Sequence, residues 1–447
     1  MARGKKKEST LTPEEKLEQA LVPESEWPYR VPENWCWTYL FDGAAECMDG
    51  FRKPVNATER AGRDGDIPYY GATGQVGWID DYLTDEELVL LGEDGAPFLD
   101  LIKNKAYLIC GKAWVNNHAH ILRSYYGHIG NKFLVNYLNI FNYKGFVNGT
   151  TRLKLTQASM SAMPFPLPPF AEQQRIVDHI EYLFAKLDEA KEKAQSVLDS
   201  FETRKAAILH KAFTGELTSK WRAEHGVGAE SWTPTTANKL FTYVTSGSRG
   251  WAQYYADSGA VFVRMGNLDH GTIELDMSDI QYVQLPDKAE GQRSLIQKND
   301  ILISITADVG MIGFVRDINY EAYINQHVAL ARPTVPESAE FIAWYLVSDV
   351  GLQQFRSKQR GATKIGLGLN DIRTLTLNMP ALDEQIEIVR ILDSLFAKEQ
   401  QAKEAAEAVL EKIDLLKKSI LARAFRGELG TNDPGEESAI ELLKGVI

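Results

Sequence analysis

Two stretches of the chain decide how the rest is read. Residues 149–217 run GTTRLKLTQASMSAMPFPLPPFAEQQRIVDHIEYLFAKLDEAKEKAQSVLDSFETRKAAILHKAFTGEL, and residues 361–429 run GATKIGLGLNDIRTLTLNMPALDEQIEIVRILDSLFAKEQQAKEAAEAVLEKIDLLKKSILARAFRGEL. They align without a gap at an offset of 212 residues. The matched cores are Glu172-Gln173 with Glu384-Gln385, Leu183-Phe-Ala-Lys186 with Leu395-Phe-Ala-Lys398, and Gly215-Glu-Leu217 with Gly427-Glu-Leu429. The period is far too long for a solenoid, so this is one module used twice.

Each copy predicts a long helix. In the first, Ile176, Ile180, Leu183, Leu187, Ala190, Ala194, Val197 and Phe201 alternate by four and three. In the second, Ile388, Leu392, Leu395, Ala402, Ala406, Val409, Ile413, Leu416 and Ile420 follow the same rhythm. That is the seam of a coiled coil. It breaks at Glu399, where the first copy has Leu187, and at Arg204, where the second has Leu416. Pro168-Pro169 and Pro380 set the starts, and Gly215 and Gly427 are placed as C-caps. A helix of about 40 residues spans roughly 60 Å, and such a seam needs a partner, most simply its own duplicate.

The segments before each copy differ in kind. They are rich in Gly, aromatic and β-branched residues, and runs such as Leu88–Leu91, Ala106–Cys110 and Ile301–Ile305 read as short strands of α/β domains. They share only faint landmarks. Val115-Asn-Asn-His118 with Arg123 faces Ile324-Asn-Gln-His327 with Arg332, and Asp49-Gly-Phe-Arg52 faces Ser246-Gly-Ser-Arg249. The expected order is an N-terminal extension (1–29), a variable domain (30–165), a helix and linker (166–230), a second variable domain (231–377), and a second helix with its tail (378–447). Thr12-Pro-Glu-Glu15 predicts a capped helix over 13–21, and the two chain ends read as docking or disorder-prone segments.

The 447 residues are 44% hydrophobic and 25% charged, as in an ordinary globular chain. No apolar run is long enough to cross a membrane, the first residues do not read as a secretory signal, and Cys36, Cys47 and Cys110 form no disulfide framework. A cytoplasmic protein without membrane contact is expected. The net charge is −12, which on its own argues against a protein gripping DNA through phosphates. No basic domain hides inside the acidic total: residues 30–165 and 231–377 each carry 13 basic and 15 acidic groups.

Catalytic motifs are absent or defective. Asp66-Ile-Pro-Tyr69 and Leu167-Pro-Pro-Phe170 only loosely resemble an amino-methyltransferase loop, and neither follows a Gly-rich cofactor turn. There is no P-loop. His118 and His120 stand two apart without a third ligand in view and read as structural. The expectation is therefore binding without catalytic residues, cofactor or metal. Gly-rich loops bearing aromatic, Arg and Asn side chains suit nucleic acid. The candidates are Arg52, Lys53, Tyr70, Thr73 and Arg152 in the first domain. In the second they are Arg249, Arg264, Asn267, Arg360 and Lys364.

Pro166-Leu-Pro-Pro-Phe-Ala-Glu-Gln173 with Ile176-Val177, Ala212-Phe-Thr-Gly-Glu-Leu217 with its copy at Ala424, Val31-Pro-Glu-Asn-Trp35 and Tyr70-Gly-Ala-Thr-Gly74 together resemble the DNA-specificity subunit of type I restriction-modification systems. The resemblance covers nearly the whole chain. It implies a mixed α/β fold with two target-recognition domains separated by two long antiparallel coiled-coil helices. Each domain would read one half of a split double-stranded DNA target. Two methyltransferase subunits would dock on the helices, optionally with motor-nuclease subunits, and adenine methylation would be the partner's chemistry. The rival readings are a coiled-coil scaffold that binds only protein, and a fused enzyme. The N-terminal extension is longer than the resemblance requires.

Overall fold

The computed structural model describes residues 11–286, 291–360 and 366–447. The chain divides into two compact units, residues 1–195 with 407–447, and residues 196–406. Each unit thus combines one variable domain with parts of both repeated segments.

The first unit begins with β1 (Cys36–Tyr39), β2 (Ala45–Cys47), β3 (Ile67–Gly71), β4 (Gly74–Ile79), β5 (Thr84–Asp85) and β6 (Leu88–Gly92). It continues with β7 (Ala106–Ile109), β8 (Lys112–Val115), β9 (Ala119–Ser124), β10 (Val147–Asn148), β11 (Lys154–Leu155) and β12 (Pro164–Leu167). One sheet has the order β2-β9-β6-β7 and is antiparallel. The other has the order β4-β3-β8-β5, with β3 and β8 parallel. The run Leu88–Gly92 lacks polar alternation because every residue of β6 is buried.

The second unit holds β13 (Thr233–Thr236), β14 (Phe241–Ser246), β15 (Tyr255–Ala256), β16 (Ala260–Val263) and β17 (Tyr282–Val283). Then come β18 (Ile301–Ser304), β19 (Ile312–Phe314), β20 (Ala322–Ile324), β21 (Val328–Pro333) and β22 (Thr376–Met379). Its sheets run β14-β21-β18-β19 and β15-β17-β16-β20. The antiparallel sheet matches that of the first unit strand for strand. β16 and β20 are again the parallel pair, and β1–β12 is answered by β13–β22. The paired landmarks of the sequence therefore fall on equivalent strands: Val115 and Ile324 end β8 and β20, and Arg123 and Arg332 lie in β9 and β21.

The repeated segments close this symmetry. A long helix covers Phe170–Asp199, a second piece covers Phe201–Phe213, and one unbroken helix covers Leu382–Ala424. Gly215 and Gly427 adopt φ of 79° and 73° and end their helices as expected. Phe425, at the end of the second copy, packs on Phe133 of the first domain at 4.8 Å between rings. Phe213, at the end of the first copy, packs on the equivalent Tyr345 of the second domain at 5.1 Å.

Two expectations about the helices need correction. The first helix is interrupted at Ser200, where Arg204 turns inward, donating to the Val197 carbonyl at 3.2 Å and also to the Ser200 hydroxyl. In the second helix, Ala402, Val409 and Leu416 face outward, whereas Ala406 and Ile413 are buried and Lys403 and Lys417 are half-buried. Lysine stems take seam positions because aromatic rings accept them: Lys417 Nζ lies 5.1 Å from the Phe184 ring in one unit, and Lys403 Nζ 5.2 Å from the Phe201 ring in the other. The two polar breaks in the seams meet. Arg204 pairs with Glu399 at 2.8 Å. Around that pair, Phe201 meets Lys403 and Lys205 meets Phe396, so partner numbers fall as helix numbers rise.

Each copy also buries a carboxylate. Glu172, fully buried, accepts from Trp35 Nε1 at 2.7 Å and Asn432 Nδ2 at 2.8 Å. Burial pushes its carboxyl above the usual range, partly offset by those donors. The equivalent Glu384 accepts from Arg222 Nη1 and Thr218 Oγ1, both at 2.6 Å. The tail after each repeated helix thus satisfies the glutamate that opens the other copy.

The helices nearest both ends, among the described residues, belong to the first unit. The Thr12 capping box forms, with Thr12 Oγ1 accepting from the Glu15 amide at 3.2 Å and Glu15 Oε2 from the Thr12 amide at 2.8 Å, and its helix runs Pro13–Ala20. The last helix, Ala439–Lys444, buries Ala439 and Leu443. Among the described residues, no helix is long and apolar enough to cross a membrane.

Candidate nucleic-acid interface

In the first unit, loops from both sheets converge. After β6 come Glu93 and Asp94, after β8 come Asn116-Asn117-His118, and Arg152 lies just before Lys154, which opens β11. The β3–β4 hairpin tip adjoins them, since a Cβ on Gly92 would stand 3.0 Å from the Ala72 carbonyl. Thr73 is exposed at that tip. Tyr70 is half-buried beside Tyr107, whose hydroxyl donates to the Gly71 carbonyl at 2.5 Å. Burial raises the Tyr70 phenol above its ordinary range, so both phenols stay neutral.

The cations here are held by acids. Arg152 donates to Asp94 at 2.7 Å and keeps 60% of its side chain exposed. Lys154 pairs with Glu93 at 2.9 Å. Burial opposes ionisation of Glu93, but Lys154 and Arg52 outweigh it and lower its pKa. Lys53 is exposed and lies 5.7 Å from the Trp114 ring.

Arg52 does not fit the role expected of it. Its side chain is only 15% exposed, paired with Asp49 at 2.8 Å and also with Glu93, and it donates to the Ala119 carbonyl at 3.1 Å. It braces the loop after β2. Asp49 is the hub of that brace, binding His120 Nδ1 and Gln157 Nε2 at 2.7 Å and the Ile121 amide at 3.0 Å. Burial works against its charge, yet these donors hold Asp49 down to about 2. His120 Nε2 faces the Leu155 carbonyl at 3.0 Å. Both ring nitrogens therefore face oxygen atoms of the protein. Cys47, Asp49 and His120 come within 4.8 Å of one another, but protein donors and acceptors already engage the carboxylate and the ring.

In the second unit the candidates separate. Arg249 is exposed and makes no ion pair or hydrogen bond among the described residues. Arg264 pairs with Asp279 at 2.8 Å and keeps 30% of its side chain exposed. Arg360 is 79% exposed and pairs with Asp371 at 2.7 Å. Asn267 is only 3% exposed, and its amide is spent inside the loop: Oδ1 accepts the Arg264 amide at 2.9 Å, and Nδ2 donates to the Asp276 and Asp279 carbonyls at 2.8 and 3.0 Å. It shapes the loop and offers no edge to a base. Lys364 lies outside the described residues. The sequence reading takes His118 as structural and His327 only as its landmark counterpart, yet the first is half-buried and the second exposed. The shared Asn-Asn-His and Asn-Gln-His stretches are the signal that points to them as candidates.

Comparison with known proteins bears on this arrangement. The family model of the type I restriction modification DNA specificity domain matches residues 52–198 and 256–412, more than half of the chain. The type I restriction enzyme EcoBI specificity subunit of Escherichia coli is 29% identical over 339 residues, covering 70% of this chain and 69% of that subunit. The EcoKI specificity subunit of Escherichia coli K12 is 26% identical over 309 residues, covering 65% and 64%. Among solved structures, the HsdS subunit from Thermoanaerobacter tengcongensis shares the fold with a TM-score of 0.61 at 18% identity, covering 91% of this chain and all of that one.

Proposed function

This chain belongs to the type I restriction-modification DNA specificity family, and on that premise we propose that it reads a bipartite double-stranded DNA target, one half-site per recognition domain. It is a specificity subunit, the non-catalytic member of such a system. The observation that carries the reading is a repeated frame bearing two domains that share one antiparallel sheet order and one parallel strand pair but differ in their loops. One frame with two unlike readers is what a split, asymmetric target requires. The domains lie at about 30–165 and 231–377, with the repeated helices after each.

The two helices pair antiparallel as a coiled coil, set the unread gap and dock two methyltransferase subunits, which supply the chemistry and optionally recruit motor-nuclease subunits. Mismatches cost about 1–3 kcal/mol per base pair, so two short half-sites discriminate well only when engaged together. Base contacts fall to partly exposed groups such as Arg264, and backbone contacts to Lys53, Thr73, Arg152, Arg249, Arg360 and Lys364. Because acids hold Arg152, Arg264 and Arg360, phosphate must compete for them. Partner subunits therefore supply most backbone affinity, and the isolated chain binds DNA poorly.

Single-molecule methylation sequencing of the host genome, with and without this gene, tests the reading. A split motif that loses its methyl-adenine on deletion is the expected result. An unchanged methylome in a host expressing the methyltransferase would leave a scaffold that binds only protein.

A further inference from the structure

The two recognition domains place a histidine at one equivalent position. Where the chain leaves β8, Asn116 Oδ1 accepts the His118 amide at 2.8 Å. Where it leaves β20, Asn325 Oδ1 accepts the His327 amide at 3.0 Å. The carbonyl of His118 accepts from the Glu93 amide at 2.7 Å, and that of His327 from the Ile305 amide at 3.0 Å. Glu93 and Ile305 accept in turn from Leu155 and Leu367, at 2.7 and 2.9 Å. Three matched hydrogen bonds thus fix the two histidines as counterparts across domains that differ in sequence.

Their side chains match as well. His118 Nδ1 stands 2.7 Å from Asp94 Oδ1, and His327 Nδ1 stands 2.6 Å from Thr306 Oγ1. Asp94 and Thr306 are themselves equivalent, bridged to Lys154 and Gly366. The neighbouring His120 has no such counterpart; its place in β21 is taken by Ala329. A histidine serving only the turn would not need this geometry, since Asn and the backbone already make the turn. Nor does the ring fill a core: His118 is 39% exposed and His327 is exposed.

Each ring also lies close to a candidate arginine of its domain. Arg152 Nη2 approaches His118 Nδ1 at 3.5 Å, and Thr306 bridges Gly366, which itself pairs with Arg360.

We propose that His118 and His327 are specificity-determining residues, each presenting its Nε2 edge to a base of its own half-site while Asp94 or Thr306 fixes the ring. The inference rests on the DNA-reading function above. A ring anchored through Nδ1 offers Nε2 as a single directed donor or acceptor, suited to purine N7 or O6 or to an exocyclic amine. The anchors differ in consequence. A carboxylate makes Nδ1 of His118 a donor whatever the ring's charge. The Thr306 hydroxyl can donate or accept, and the Gln326 amide, 2.8 Å from His327 Nε2, must move aside or share the contact.

The test is methylation sequencing of hosts carrying the full chain with its methyltransferase, as wild type, His118→Ala or His327→Ala. Each variant is expected to relax base preference in one half-site, by roughly 10-fold or more at one position, with the other half-site unchanged. The unchanged half-site reports that the chain is folded and assembled. Retention of both half-sites in both variants would overturn the proposal. So would a fall in methylation that spares base preference, which marks a phosphate contact. If alanine lowers the unfolding temperature, His118→Gln and His327→Gln are read by the same criteria. No methylated motif with the wild-type allele would overturn the DNA-reading function itself, and this proposal with it.

Discussion

The frame of this protein repeats in sequence, whereas its recognition domains repeat only in the order of one antiparallel sheet and in one parallel strand pair. Between the repeated segments the offset is a constant 212 residues. Between equivalent points of the domains it drifts: 197 from Asp49 to Ser246, 193 from Tyr70 to Val263, 212 from Glu93 to Ile305 and 209 from Val115 to Ile324. A helix seam tolerates no single insertion, because one extra residue rotates everything beyond it by about 100°. A loop between strands absorbs insertions at little cost. The frame is therefore held by periodicity, and the readers are free to differ where they would meet a ligand.

The buried glutamates give the sharpest test of how equal the two halves of the frame are. Arg222→Ala leaves Glu384, whose side chain is 1% exposed, with Thr218 as its remaining donor, and is expected to cost about 3–5 kcal/mol. Glu172→Gln keeps an acceptor for Trp35 or Asn432 and removes a charge that burial disfavours, so it should cost only about 1 kcal/mol. Denaturant unfolding of both variants measures the difference. Equal losses would mean that the ion pair at Glu384 adds nothing over the neutral cage at Glu172.

Acid should separate the two domains next. Asp49 is held at about 2, below its ordinary 3.8, so its ionisation stabilises the first domain above that ordinary value. The stabilisation is lost as pH falls from about 4 through about 2. Its size is about 2–3 kcal/mol by linkage, and its counterpart Ser246 cannot titrate. Asp49→Asn should remove this acid sensitivity, seen as a flatter dependence of unfolding free energy on pH. An unchanged slope would assign the sensitivity elsewhere.

How much of this was legible beforehand follows from the same physics. The starts of the long helices, their glycine caps and the Thr12 box rest on local chemistry and are legible in the sequence; the interruption at Ser200 is not, because Arg204 makes it through contacts the pattern does not show. The phase of the second helix was not, because it has two apolar faces. Val409 and Leu416 compete on paper with Leu410 and Lys417, and the choice falls to the rings of Phe184 and Phe201, far away in sequence. Nor does residue type reveal whether donors are already spent. Arg52 and Asn267 look like base or phosphate readers until Asp49, Glu93 and the Asp276 and Asp279 carbonyls claim them. The equivalence of the domains was visible at Asn116–His118 and Asn325–His327, but the drifting offset hid everything between.

The seam breaks allow a gentler comparison. Arg204 and Glu399 occupy positions whose duplicates are Leu416 and Leu187. Their side chains are 34% and 21% exposed, so solvent screens much of the attraction. Glu399→Leu alone should cost about 1 kcal/mol by stranding Arg204, and adding Arg204→Leu should restore most of it. A double variant as unstable as the single one would show that Arg204 acts mainly by capping the Val197 carbonyl at the helix interruption, a role leucine cannot fill.

The smallest effect is expected at Arg249, and it contrasts with Arg152. Both are exposed, but Asp94 holds Arg152, whereas Arg249 has no partner among the described residues. Arg249→Ala should therefore change unfolding free energy by less than about 0.5 kcal/mol. If the guanidinium meets a phosphate when DNA binds, its loss weakens all sequences alike and lowers the salt-dependence slope of the assembled complex by about 0.9. Arg152→Ala releases a carboxylate as it removes a cation, so its effect on binding should be larger at equal salt. Fluorescence anisotropy across a salt series reads both. A slope unchanged by Arg249→Ala, together with intact base preference, would remove this residue from the interface and leave the second domain's grip to the segment around Arg360.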